Sequence, residues 1–344
     1  MDFRFQSDTT DLRDGARAFL EGENTPERLR GLPQGGDPLA LWSSLGEMGL
    51  IGAGAPESLG GLGLGSDDCL LLSEEAGRAG LPEPYSEVAL VLIPLLAKLG
   101  GSASTFLDKV LSGEARGAVV HPLNPFANHA ETIDFALVLG ADKTILADAR
   151  DLIIEGRDGI DPGRKLAQVS VKGGSELASG KDAADLQAEA AARGGAACAA
   201  ELCGLSDRMI SLATEYSKTR EQFGQAIGTF QAVKHLMANA QVKLEFARPA
   251  VYRAGAALDG AAEVRDLAVS HAKIASGDAA MLAAENAIQV FGGMGYTFEV
   301  DLHFFMKRAW ALCAQWGDRN FHLSRVDDAV LGSGVTVGPG ETFR

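Results

Sequence analysis

In TREQFGQAIGTFQ, residues 219–231, the four residues Arg220, Gln222, Phe223 and Gln231 combine one fixed positive charge, two side-chain amides and an aromatic face within 12 residues. A guanidinium matches phosphate geometry, and a helix opening at Gln231 favours an anion at its first turn. A second stretch, QVFGGMG at 289–295, closes a long helical pattern on a glycine turn. Together the two strings have the makings of a pocket for a phosphorylated, flat-ringed cofactor. Alone, each reads more simply. Arg220 could be a surface salt-bridge arginine, and Gly292-Gly293 a helix C-cap where glycine accepts positive φ. A Rossmann fingerprint follows a strand and opens a helix; this one closes a helix, so that reading is excluded.

The strings R-x-Q-F-G-x-x-I-x-x-F-Q and Q-x-x-G-G-x-G resemble those of the acyl-CoA dehydrogenase family. Near the N-terminus, Trp42-x-x-Leu45, Gly49, Gly52 and Pro56-Glu57-x-x-Gly60-Gly61-x-Gly63 are similar to the same family's signature. The resemblance covers about 1–112 and 188–330 and is weak between. It implies a mainly α fold: an N-terminal helical domain (1–115), a reduced middle β module (116–182), a C-terminal four-helix bundle (183–332) and a flexible tail (333–344). It also implies FAD, whose ADP half is held largely for a neighbouring subunit. Carried over, Arg220 meets the pyrophosphate, Gln222 and Phe223 lie beside it, and Gln231 sits at the next helix start. Gln289, Gly292 and Gly293 lie opposite.

The departures are equally informative. Desaturation of an acyl-CoA needs a base for the α-proton while the flavin accepts hydride from the β-carbon. The family's base is a glutamate before a glycine at the close of the penultimate helix, and the register from Gln289 puts Trp316, before Gly317, there. A minority place it on the first C-terminal helix, where the register gives Gly194. The nearest acids, Glu189, Glu201 and Asp318, are out of register and read as solvated helix residues; Asp318 also replaces the family's threonine. The loop and strand that hold the flavin ring have no match between Arg116 and Gly180.

Composition is consistent with an enzyme scaffold. The 344 residues, 46% of them hydrophobic, suffice for two or three domains around a sizeable core. A net charge of −15 argues against nucleic acid or an anionic membrane as partner. Cys69, Cys198, Cys203 and Cys313 show no C-x-x-C spacing, so metal and disulfide frameworks are not expected, and Cys198 and Cys203 read as buried fillers. The start MDFRFQSDTTDLRD is too charged for a signal peptide, and no apolar run reaches spanning length, so a cytoplasmic location is expected.

Helices are expected over 8–21, 37–48, 66–79, 86–99 and 102–112. The runs GAVVH, FALVLGA, KTILA, DLIIEG and AQVSV then suggest a small antiparallel β module. From Phe230, apolar residues recur at Val233, Met237, Ala240, Leu244, Ala247, Val251, Ala254 and Leu258, one helix face, with Pro249 a possible kink. A second long helix over 263–291 carries Leu267, Ile274, Met281, Ile288 and Phe291.

A chain that keeps the half-site serving a neighbour but lacks base and ring-binding loops resembles the non-catalytic subunit of heteromeric, steroid-type actinobacterial acyl-CoA dehydrogenases. That resemblance implies no catalytic residue here, a paralogous catalytic subunit as partner in a heterotetramer, an acyl-CoA (a steroid side-chain thioester among the options) on that partner, and an electron-transfer flavoprotein or similar acceptor. Two alternatives stand beside it: a self-sufficient homo-oligomer using Asp318 or Glu201 as base, and a non-enzymatic scaffold that no longer binds flavin.

Overall fold

The computed structural model describes residues 5–332. The N-terminal third is helical: α1 (Ser7–Glu23), α2 (Pro26–Gly31), α3 (Trp42–Glu47), α4 (Ser66–Ala79), α5 (Tyr85–Glu87), α6 (Ile93–Leu99) and α7 (Ser104–Leu111). A π-helical turn over Val88–Leu92 fuses α5 and α6 into one continuous helical run. Helix α2 was not expected; Thr25 starts it by accepting the Arg28 N–H, with Pro26 at its first position. The helix expected over 37–48 is shorter, because Asp37 takes the Leu39 N–H at 2.9 Å and holds the chain in a turn ahead of α3.

Seven strands follow: β1 (Gly117–Val120), β2 (Phe126–Asn128), β3 (Phe135–Leu139), β4 (Lys143–Asp148), β5 (Leu152–Arg157), β6 (Leu166–Val171) and β7 (Ser175–Ser179). They form two sheets, ordered β1-β3-β4-β7 and β2-β6-β5, closing over a small core of Ala127, Ala136, Ala167 and Val169. The module is not wholly antiparallel as expected, since β1 pairs with β3 in parallel. Parallel neighbours need a long crossover, and residues 121–134 supply it by visiting the second sheet as β2.

The C-terminal half is a bundle of α8 (Gly180–Thr219), α9 (Gln231–Ala257), α10 (Ala262–Phe291) and α11 (Leu302–Ala314), followed by α12 (Arg319–Asp327). A short hairpin, β8 (Glu221–Gln222) and β9 (Gln225–Ala226), joins α8 to α9. Helix α8 binds the two helical halves together, crossing α4 almost backbone to backbone. A Cβ on Gly77 would come within 2.6 Å of Glu201 Cα, and one on Gly204 within 2.5 Å of the Arg78 nitrogen. Cys198 and Cys203 are buried on α8, as expected.

The stripe read on α9 is its buried face: Met237, Ala240, Leu244, Ala247, Val251 and Ala254 are all covered, and the helix runs unbroken through Pro249. Helix α10 differs from expectation. Leu267, Ile274 and Ile288 are only half-buried and Met281 is exposed, while Ala272, Ala279, Ala280, Ala283 and Ala287 face the core. Small residues let α10 approach both α8 and α9 closely, so the larger ones are displaced outward. No helix among the described residues is long and apolar enough to cross a membrane. The tail over 333–344 lies outside the described residues.

Candidate functional site

Each predicted cofactor residue lies at one end of the bundle. Arg220 leaves α8 in an extended conformation; its carbonyl accepts the Ile227 N–H at 2.8 Å and so closes the hairpin. Phe223 and Gly224 form the tip, both with positive φ (53° and 81°), the combination a two-residue hairpin turn requires. That turn lifts Phe223 into solvent, 93% exposed, with only an edge contact to Phe230 at 6.1 Å. Gln222 spends its side-chain amide on the adjacent Glu221 carbonyl. Gln231 is the first residue of α9 and is exposed.

The second string reaches the same end through an aromatic stack. Tyr216, one turn before Arg220, stacks on Phe291 with ring centroids 4.4 Å apart. Asn286 then ties α10 to α9 by donating to the Leu236 carbonyl at 2.7 Å. Helix α10 stops at Gly292, whose φ of 60° and ψ of −137° suit glycine alone; Gln289 in its last turn and Gly293 just past its end are exposed. No ion pair or side-chain hydrogen bond engages the Arg220 guanidinium among the described residues. The seven residues thus line an open, polar, singly cationic surface rather than a closed pocket. Its donors suit a diphosphate and its aromatic face a ring.

The positions where a base was sought lie far inside. Trp316 and Gly194 line one cavity of about 30 Å³, space for roughly a single water, between the N-terminal helices, the β module and α8. The indole is 1% exposed and occupies the room that a side chain at 194 would need. Trp316 holds a left-handed φ of 56°, and its N–H donates to the Leu123 carbonyl at 3.1 Å. Lys273 fastens the same turn from below: its buried ammonium donates to the carbonyls of Leu312 at 2.7 Å and of Cys313 and Gly317 at 3.3 Å. His121 stands beside the indole at 5.1 Å; burial lowers its pKa to about 4, so the ring is neutral at physiological pH.

Around this plug runs a network that sequence reasoning missed. Glu87 accepts from the side-chain amides of Asn124 (2.9 Å) and Gln315 (3.2 Å). Arg164 bridges Gln315 (2.6 Å) and Asn128 (2.9 Å). Arg308 pairs with Asp161 and donates to the Leu81 carbonyl at 2.6 Å. Burial pushes the Glu87 carboxyl up to about 7, with Arg164 opposing, while Asp161, despite its burial, is held below the usual carboxylate range by Arg308. Helices α5 and α11 and the β module are thereby locked together across the cavity. A signal existed in the sequence: Glu87 is the one acid inside the apolar run from Tyr85 to Leu96.

Of the three out-of-register acids, two are engaged structurally. Asp318 accepts the Phe321 N–H at 2.8 Å as the N-cap of α12. Glu189, although burial works the other way, is held below its ordinary pKa by Lys98 at 2.6 Å and Arg193 at 2.9 Å. Glu201 alone lines the cavity, and burial raises its pKa.

Comparison with known proteins agrees with this architecture. The N-terminal domain model of acyl-CoA dehydrogenases matches residues 6–114 and the C-terminal domain model residues 185–331. The acyl-CoA dehydrogenase IpdE2 of Mycolicibacterium smegmatis is 31% identical over 327 residues, covering 93% of this chain and 98% of its own. Among solved structures, the ChsE4-ChsE5 complex from Mycobacterium tuberculosis superposes with a TM-score of 0.83 at 21% identity, over 97% of this chain and 100% of the other. A variant of the Tcur3481-Tcur3483 steroid ACAD gives 0.82 at 24% identity, over 94% and 97%. With both end domains matched and a relative aligned almost end to end, this chain belongs to the acyl-CoA dehydrogenase family.

Proposed function

We propose that the chain is a subunit of a heteromeric, FAD-dependent acyl-CoA dehydrogenase: it completes the cofactor site of a catalytic partner and lacks a base of its own. The observation that carries this is the contrast between its two sites. The surface around Arg220, Gln222, Phe223, Gln231, Gln289, Gly292 and Gly293 is open, with the Arg220 guanidinium unpaired among the described residues, whereas the inner cavity is filled by Trp316 and cross-braced. Bound there, FAD would supply the hydride acceptor. Arg220 would pair with its diphosphate, the amides of Gln222, Gln231 and Gln289 would hydrogen-bond its polar edges, and Phe223 would cover apolar surface. A two-protein complex and a steroid enzyme among the fold neighbours support a heteromeric assembly, in which a steroid side-chain thioester on the partner would be the substrate. An electron-transfer flavoprotein or similar acceptor would then reoxidise the flavin.

The homo-oligomeric alternative keeps one observation in its favour, the raised pKa of Glu201 in the cavity. Space of about 30 Å³ opposes it, since neither an acyl chain nor a flavin ring fits. The test is turnover of the co-expressed complex. Glu201→Gln and Asp318→Asn in this chain should leave it unchanged, while replacing the base glutamate of the partner should abolish it. A fall of about 100-fold or more from Glu201→Gln, with flavin content intact, would move the base to this chain.

A further inference from the structure

A second cavity, of about 260 Å³, opens between α1, α4, α8 and α11 and shares no residue with the half-site or the plugged cavity. Leu20, Leu29 and Phe305 give it an apolar floor. Its rim is charged, and every carboxylate of the rim already has a cation. Glu75 takes Arg17 through both oxygens at 2.5 and 2.8 Å. Glu21 takes Arg78 at 2.5 Å, and Asp301 takes Arg30 twice at 2.8 Å. Arg208 is left over. Its guanidinium lies over the Phe305 ring at 5.6 Å, and no carboxylate or carbonyl accepts from it among the described residues.

That arrangement is unusual for a guanidinium in a recess. Burial first, and then the neighbouring Arg78, lower its pKa; Glu21 and Asp301 of the lining oppose this only through space, since each already holds another arginine. The forks of Arg17, Arg78 and Arg30 are occupied, so the site offers one free bidentate donor above an apolar floor. An inorganic anion would satisfy the donor but leave the floor wet; an apolar molecule would do the reverse. We propose that this cavity binds a small organic monocarboxylate, with its carboxylate on Arg208 and its apolar body against Leu20, Leu29 and Phe305. The ligand is independent of the acyl-CoA and of flavin, because the site neither borders the half-site nor needs a second subunit to form its walls.

Calorimetric titration of the full chain with hexanoate tests this directly, with hexanamide, of the same shape but uncharged, as the matched probe. We expect saturable hexanoate binding, weakened roughly tenfold or more for hexanamide and by a similar factor in Arg208→Gln, as befits loss of one charge-assisted hydrogen bond. The hexanamide comparison uses the unaltered protein, so it stands even if the variant folds poorly. Absence of saturable hexanoate binding, equal binding of hexanamide, or unchanged affinity in a folded Arg208→Gln would each overturn the proposal.

Discussion

Trp316 and Gly194 occupy each other's space: a Cβ on Gly194 would lie 2.7 Å from Cε3 of the indole and closer still to Cδ2 and Cε2. These are the two positions at which the family's base is sought, and here one ring fills both. An indole cannot take the α-proton and a glycine has nothing to offer, so under the proposed function this contact is packed core and not a place of chemistry.

The first prediction concerns that contact. Gly194→Ala should destabilise the chain by about 1–3 kcal/mol, as overpacking does in a core with no slack. Trp316→Ala should cost about 3–5 kcal/mol through the cavity it leaves. The double variant should be less damaged than the sum, because the alanine methyl then enters vacated space, and urea denaturation of the four proteins measures the coupling. In any Trp316→Ala complex that still assembles, the rate per bound flavin should be unchanged; a loss of several orders of magnitude would give the indole a chemical role.

A second prediction concerns pH. Glu87 has its pKa raised above the usual glutamate value to about 7, so between the two values the folded chain holds a proton that the unfolded chain has released. The native state therefore binds more protons there, and stability falls as pH rises through that window. Glu87→Gln keeps an acceptor for Asn124 and Gln315 and removes the ionisation. It should be near neutral below pH 4.5, stabilising at pH 8 by up to about 3 kcal/mol, and should flatten the dependence of stability on pH between them. An unchanged slope would mean that Glu87 titrates normally.

Much of this was legible from sequence, and the remainder has physical reasons. The α9 stripe from Met237 to Leu258 could be read because large and small apolar residues alternate at helical spacing on one side. The same logic misread α10, where the alanines are core and the leucine and isoleucines are half-exposed; periodicity tracks size, whereas close helix packing selects for small size. Strands β2 (FAN) and β7 (SELAS) carry too little apolar signal to stand out, and β7 runs straight into α8. Trp316 and Gly194 could be named as lacking a carboxylate, but not as neighbours, because they are brought together by the turn that Lys273 fastens. The network around Glu87 draws on four separate chain regions, 81–87, 124–128, 161–164 and 308–315, and has no local motif.

A third prediction tests the half-site. Arg220→Ala should raise the dissociation constant for FAD in the assembled complex by roughly 10- to 150-fold, the loss of about 1.5–3 kcal/mol for one charge-assisted hydrogen bond. Lysine should rescue in part, keeping the charge without the fork. Because the Arg220 guanidinium has no ion pair within the described chain, its removal should leave thermal stability unaltered. Unchanged flavin affinity, with the subunits still associated, would make Arg220 an ordinary surface arginine.

The division of labour between an open half-site and a plugged cavity is tested most directly by the visible spectrum of the chain purified alone and purified with a co-expressed catalytic acyl-CoA dehydrogenase subunit. Alone, we expect a colourless protein that bleaches no flavin on addition of any acyl-CoA; with its partner, a yellow complex whose flavin bleaches with substrate. Stoichiometric FAD and substrate-dependent bleaching in the chain by itself would contradict the proposal outright.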